Sequence, residues 1–148
     1  MYKHILIPID GSDFAERALT HGLTLAKQIK AAVTIVVVTD FLSPIEIAYQ
    51  QLENGTQAIL EFEKVVSASA KAILSAAEEK AKSAGVACRT VHVSDQHPAE
   101  GIADTADKTG ADLIVMASHG RRAIGRLMLG SVVSEVLARS KVPTLVVR

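Results

Sequence analysis

A chain of 148 residues is the size of one compact domain, 1–148, with little room for a second. Nearly half of the residues are apolar, yet aromatics are only 3% and tryptophan is absent, so the interior is small and aliphatic. Sixteen basic and sixteen acidic side chains cancel, which argues against a polyanion-coating surface and against nucleic acid as the main partner. The single Cys88 excludes an internal disulfide framework and every multi-cysteine metal site. Met1 to His4 leads into an apolar run too short for a signal peptide, and nothing approaches the roughly 20 apolar residues that span a bilayer. The expectation is a soluble cytoplasmic protein with no membrane contact.

In chain order, Ile5-Leu6-Ile7-Pro8-Ile9 is the first strand. Ala15, Ala18, Leu19, Gly22, Leu25, Ala26 and Ile29 then recur at three- and four-residue steps, a helix entered through a capping pair of Asp13 and Glu16. Val33 to Val38 is a second strand, followed by a polar stretch from Phe41 to Gly55 that reads as a surface excursion. Ile59, Phe62, Val66, Ile73, Ala77 and Ala84 mark a long second helix ending at Gly85. The third strand, Val86 to Val93, mixes polar and apolar residues and belongs at a sheet edge. Ile102, Ala103 and Ala106 give a short helix after His97-Pro98, Leu113 to Met116 a strand, Val132, Val133, Val136 and Leu137 a helix, and Thr144 to Val147 a last strand.

Continuously apolar strands alternating with helices predict a Rossmann-like, doubly wound α/β domain, a five-stranded parallel sheet covered by helices on both faces. For strand order 3-2-1-4-5, the ligand crevice lies beyond the carboxyl ends of strands one and four. The segments that meet there are Ile9 to Asp13 and Met116 to Ser131. The second is also basic: from His119 onward six basic side chains stand against Glu135 alone. Its glycines let main-chain amides approach a ligand, and Gly130-Ser131 opens a helix whose free N–H groups favour phosphate or whose serine simply caps it.

No G-x-x-x-x-G-K-[S/T] loop occurs, and the first turn, Asp10-Gly11-Ser12, lacks the dinucleotide glycine triplet. What remains resembles the universal stress protein family, whose nucleotide loop reads G-x2-G-x9-G-[S/T] before a helix. Gly120, nine intervening residues, Gly130 and Ser131 fit it, and the first position falls on Ala117. The opening Ile5 to Ser12, the helix entrance Pro98-Ala99-Glu100-Gly101-Ile102, the run Ala111 to Arg121 and the closing Pro143 to Val147 carry the resemblance along the whole chain.

The resemblance implies that Pro8, Ile9 and Asp10 contact an adenosine, with Asp10 near ribose hydroxyls or a phosphate-bound Mg²⁺. It places Val38 against adenine, Met116 and Ala117 along the ribose, and Gly120, Gly130, Ser131 and Val132 as donors to phosphates, with Arg121 as a charge partner. ATP with Mg²⁺ is the implied ligand, and a homodimer through the C-terminal strand the implied assembly, acting on an unknown protein partner. Read alone, Asp10 serves equally as a cap for the amides after it. Ala117 adds a methyl where the family has glycine, and the rival reading is a member that holds no nucleotide and acts only through protein contacts. Catalysis has little support, since the chain has no nucleophile elbow and no loop lysine, so hydrolysis of ATP is expected to be slow at most. His4, His21, His92 and His97 lack metal-ligand spacing, His119 reads as loop geometry, and Cys88 as a buried thiol.

Overall fold

A computed structural model describes residues 1–40, 44–121 and 128–148. Strand and helix alternate through them: β1 (His4–Pro8), α1 (Asp13–Ile29), β2 (Ala32–Val38), α2 (Pro44–Ser83), β3 (Cys88–Val93), α3 (Pro98–Thr109), β4 (Leu113–Ala117), α4 (Ser131–Arg139) and β5 (Thr144–Val147). The five strands are parallel and lie in the order β3-β2-β1-β4-β5, with β3 at an edge as its mixed composition requires.

Strand side chains alternate between two cores, which is why the central runs are apolar throughout. Ile5, Ile7, Val33, Ile35, Val37 and Val115 pack under α1 and α2, whereas Leu6, Val36, Ile114 and Met116 pack under α3 and α4. The first two helices therefore cover one face and the last two the other.

Two expectations about the helices are corrected. The N-cap of α1 is Ser12, whose extended backbone lets Oγ accept the Ala15 N–H at 3.2 Å. Asp13 and Glu16 lie inside the first turn, where acidic side chains favour the helix dipole instead of capping it. The stretch before Gly55 is helical from Pro44, and Gly55, at φ 73° and ψ −175°, interrupts the helix there. Its polar composition reflects a helix that lies away from the sheet: Leu52 is 87% exposed and Phe62 41% exposed. Among the described residues Ala70, Leu74, Ala77 and Ala81, with Ile73 partly buried beside them, bed α2 on the sheet. Phe41 to Ser43 lie outside the described residues.

Gly85, at φ 74°, follows α2 as expected of a left-handed terminator. Burial pushes the Cys88 thiol above its usual range, and Glu78 adds to the effect, so the thiol stays protonated at neutral pH. Among the described residues no helix is long and apolar enough to cross a membrane.

One polar contact closes the sheet at its amino end. The Asp112 carboxylate accepts the Lys3 N–H at 2.8 Å and the His4 N–H at 2.9 Å, tying the start of β1 to that of β4. Desolvation works to raise this carboxyl, but the amides of His4 and Lys3 outweigh it and hold it below the ordinary range. A depressed folded-state value means stability that is complete above the ordinary carboxyl range and lost as pH falls through the folded value. Asp112→Ala is expected to cost on the order of 1 kcal/mol at neutral pH, after allowance for solvent screening. Urea denaturation at neutral and acidic pH should show the gap between parent and variant closing on acidification; a gap independent of pH would reject this role.

Candidate functional site

The switch point is an open crevice, and one residue explains why. β1 pairs with β4 only at Ile5↔Leu113 and Leu6↔Ile114, although β1 runs beside β2 to Pro8↔Val36 and β4 beside β5 to Ala117↔Val147. Odd residues of β1 bond toward β2, as Ile9 N–H does to Val36 C=O, and even residues face β4, as His4 C=O does in accepting the Asp112 N–H. Pro8 therefore faces β4 at the position where it has no N–H to give. The two strands part there, and their helices leave to opposite faces.

Side-chain alternation sorts the expected contacts. Val38 and Met116 belong to the α3/α4 core, and Pro8, two residues beyond Leu6, points to the same face. These three form an apolar floor across the carboxyl ends of three adjacent strands. Ile9 does not join them: its side chain is 8% exposed in the α1/α2 core, and its N–H is engaged by Val36, which leaves main chain alone at the crevice. Ala117 pairs with Val147 in the sheet, and positive φ is confined, among described non-glycine residues, to Lys30 and Asp95. Its methyl thus projects to the α1 face, opposite to Met116.

Asp10 joins the two turns. Its Oδ1 accepts the Ser12 N–H at 2.9 Å, the local cap that its position suggests, and its Oδ2 accepts the Arg121 N–H at 2.9 Å from across the crevice. Gly120 is glycine because of this approach, since a Cβ there would stand 2.8 Å from Oδ2. The Arg121 guanidinium lies over Gly11 beside Ile73 of α2; a Cβ on Gly11 would meet Nη2 at 3.0 Å. The charge therefore sits on the α1 rim of the mouth.

The start of α4 forms the opposite rim. Gly130 is its N-cap and has no side chain to bond the helix amides. Its own N–H is donated to the Ser118 carbonyl at 2.8 Å, and a Cβ would lie 3.0 Å from that oxygen. Gly130 accordingly positions the helix against β4 and is not a free donor, as the motif alone suggested. Ser131 is the first helical residue, exposed and not the cap. Among the described residues the amides of Ser131, Val132 and Val133 have no acceptor, so the positive end of α4 opens onto the crevice.

His119 has a packing role that the sequence did not reveal. Its ring lies 5.5 Å from that of Phe14 on α1, Arg17 covers Phe14 at 4.7 Å, and Nδ1 meets Ser118 Oγ at 2.9 Å. Nothing in the spacing marked Phe14 as a neighbour of His119, because that contact joins residues far apart in the chain. His4 and His92 each bond a threonine hydroxyl, and His97 stands 3.7 Å from Glu135. Among the described residues no group of three or more His, Cys, Asp or Glu could hold a metal ion. Arg122 and Arg126 lie outside the described residues.

The same architecture recurs in known proteins. The family model described as the universal stress protein family matches residues 1–148. Universal stress protein MJ0531 of Methanocaldococcus jannaschii is 34% identical over 148 residues, spanning 100% of this chain and 83% of that protein. The solved structure of MJ0577, from the same organism, superposes with a TM-score of 0.80 at 31% identity, covering 99% of this chain and 96% of the other. A universal stress protein solved in complex with cAMP superposes with a TM-score of 0.69 at 28% identity, covering 99% and 97%. The chain belongs to the universal stress protein family.

Proposed function

We propose that the protein binds an adenine nucleotide, ATP with Mg²⁺, in the crevice between β1 and β4, and that it works in the cytoplasm as a dimeric stress-response module whose ligand state sets the surface offered to a protein partner. The observation that carries this reading is the junction of Asp10 with Gly120 and Arg121 beside an uncapped α4, which gives one mouth an apolar floor, a carboxylate and open amides. Pro8 and Val38 take the adenine side and Met116 and Ala117 the ribose. Gly120 permits close approach, and the Ser131 and Val132 amides with the Ser131 hydroxyl meet phosphate, Gly130 holding them in place. Arg121 supplies charge from the rim. Mg²⁺ bound to the phosphates would neutralise part of their charge, and the Asp10 carboxylate stands at the same mouth with its two oxygens bonded to the Ser12 and Arg121 amides.

The relative solved with cAMP supports an adenine nucleotide as the class of ligand. The rival reading, a member without a nucleotide site, rested on Ala117, and a methyl turned toward α1 does not obstruct the floor. Ala117→Gly is therefore expected to leave ATP affinity within about twofold of the parent. It should lower stability by about 0.5–1 kcal/mol, the cost of glycine within a strand. Calorimetric titration and thermal unfolding check the two statements, and a large gain in affinity would return the methyl to the ligand's path. The reading as a whole is tested by heat-releasing the contents of freshly purified protein, identifying them by chromatography, and titrating with ATP and Mg²⁺. Neither carried nucleotide nor saturable binding at millimolar ATP would reject it.

The sheet edge supports the dimer. Pro143 and Val147 send their carbonyls to β4, so the main-chain groups of Thr144 and Val146 face outward along β5. Val146→Pro removes an outward N–H and no bond to β4, and sedimentation should show monomers. An unchanged dimer would reject pairing through β5.

A further inference from the structure

Gly101 occupies the interior of α3, where glycine destabilises a helix relative to alanine and the backbone makes no demand for it, since its φ is not positive. Space makes the demand instead. A Cβ at Gly101 would stand 2.7 Å from Val38 Cγ1 and 2.9 Å from Val38 Cγ2. Both methyls of Val38 thus rest on the bare backbone of α3, and because valine is stiff at χ1 no rotamer removes both from the contact. Val38 ends β2 at the carboxyl side of the sheet, half-buried, on the face shared with Pro8 and Met116.

We infer that Gly101 is a positioning residue for the base: by lacking a side chain it lets Val38 recede toward α3, and so sets the depth available to a purine ring above the end of β2. The inference rests on the nucleotide reading given above. No other glycine of the described chain carries this role. Gly120 and Gly130 meet Asp10 and Ser118 in the mouth itself, whereas Gly101 touches Val38 from behind.

Three variants, Gly101→Ala, Val38→Ala and the double variant, test it by calorimetric titration with ATP, each well below its own thermal midpoint so that folded protein is read. Gly101→Ala should weaken ATP binding about tenfold or more, as the new Cβ drives Val38 into the space of the base. The double variant keeps only the first side-chain carbon at position 38, 3.4 Å from the added carbon and at ordinary contact, and should bind within about threefold of Val38→Ala. Rescue in affinity by a second truncation is an outcome that mere loss of helix packing would not produce. Gly101→Ala binding ATP like the parent overturns the inference while leaving the nucleotide site standing. A double variant about tenfold weaker than Val38→Ala also overturns it, because the effect of Gly101 would then not run through Val38. If Gly101→Ala does not fold, that second comparison decides alone. A parent that binds no ATP rejects the nucleotide reading itself.

Discussion

Gly130→Val is expected to abolish ATP binding while the protein stays folded and dimeric. A first carbon at this position meets the Ser118 carbonyl oxygen at 3.0 Å, the His119 Cα at 3.4 Å and the Ser118 carbonyl carbon at 3.8 Å. These are main-chain atoms at the end of a central strand and cannot rotate aside as a side chain would. The two further methyls of valine enlarge the conflict, so α4 has to withdraw from β4 and the Gly130 N–H bond to Ser118 is lost. Withdrawal carries the Ser131 and Val132 amides out of register with a phosphate, and donors aimed in advance lose their value over about 1 Å. We expect affinity to fall about 100-fold or more, equivalent to about 2.7 kcal/mol. Folding stability should fall by roughly 1–3 kcal/mol from overpacking. Gly130→Ala places one carbon at the same carbonyl and should give an intermediate loss. Calorimetry, urea denaturation and sedimentation read the three quantities. If Gly130→Val binds ATP as the parent does, phosphate does not sit at α4.

Much of this architecture was legible in the residues, and the parts that were not share a physical cause. Local pattern located the strands: an uninterrupted Ile-Leu-Ile or Val-Val-Val run signals burial on both faces, and Gly85 marks a helix end, wherever the rest of the chain goes. The motif around Gly120 and Gly130 located the mouth. What each glycine does there was not legible, because it depends on the atom opposite: Gly120 faces the carboxylate of Asp10, 111 positions before the Arg121 whose amide it accepts, and Gly130 faces a carbonyl. That the missing N–H of Pro8 falls on the β4 side depends on the pairing direction, which the apolar run does not encode. Ile9 turns its side chain into the α1/α2 core, away from the face that Pro8 and Val38 share, for a period-two reason that depends on strand register. The helical Pro44 stretch was misread because its polar composition is that of an exposed helix as much as of a loop, and composition cannot separate the two.

Asp10→Ala should separate the two halves of the mouth. Sheet pairing between β1 and β4 has already ended at Leu6↔Ile114, so beyond that point the described structure joins the two turns by the Asp10 carboxylate. Removing it frees the Ser12 and Arg121 amides. Ser12 keeps its place as the cap of α1 through its own hydroxyl, but the Gly120–Arg121 turn loses its anchor. Hydrogen bonds to an ionised acceptor contribute about 1.5–3 kcal/mol each when shielded, and less at a half-exposed rim. An affinity loss of about 30-fold is expected, with unfolding stability lowered by about 1–2 kcal/mol. Metal dependence then distinguishes two ways in which Asp10 acts. A brace on the loop lowers ATP affinity by the same factor with Mg²⁺ and with chelator. A carboxylate that faces phosphate-bound Mg²⁺ lowers it more in the presence of the ion, and Asp10→Asn, which cannot offer two anionic oxygens, then resembles Asp10→Ala only when Mg²⁺ is present. The geometry of two engaged oxygens, each bonded to a main-chain N–H, favours the first outcome. Full ATP affinity in Asp10→Ala under both conditions would show that the crevice does not depend on the contact joining its sides.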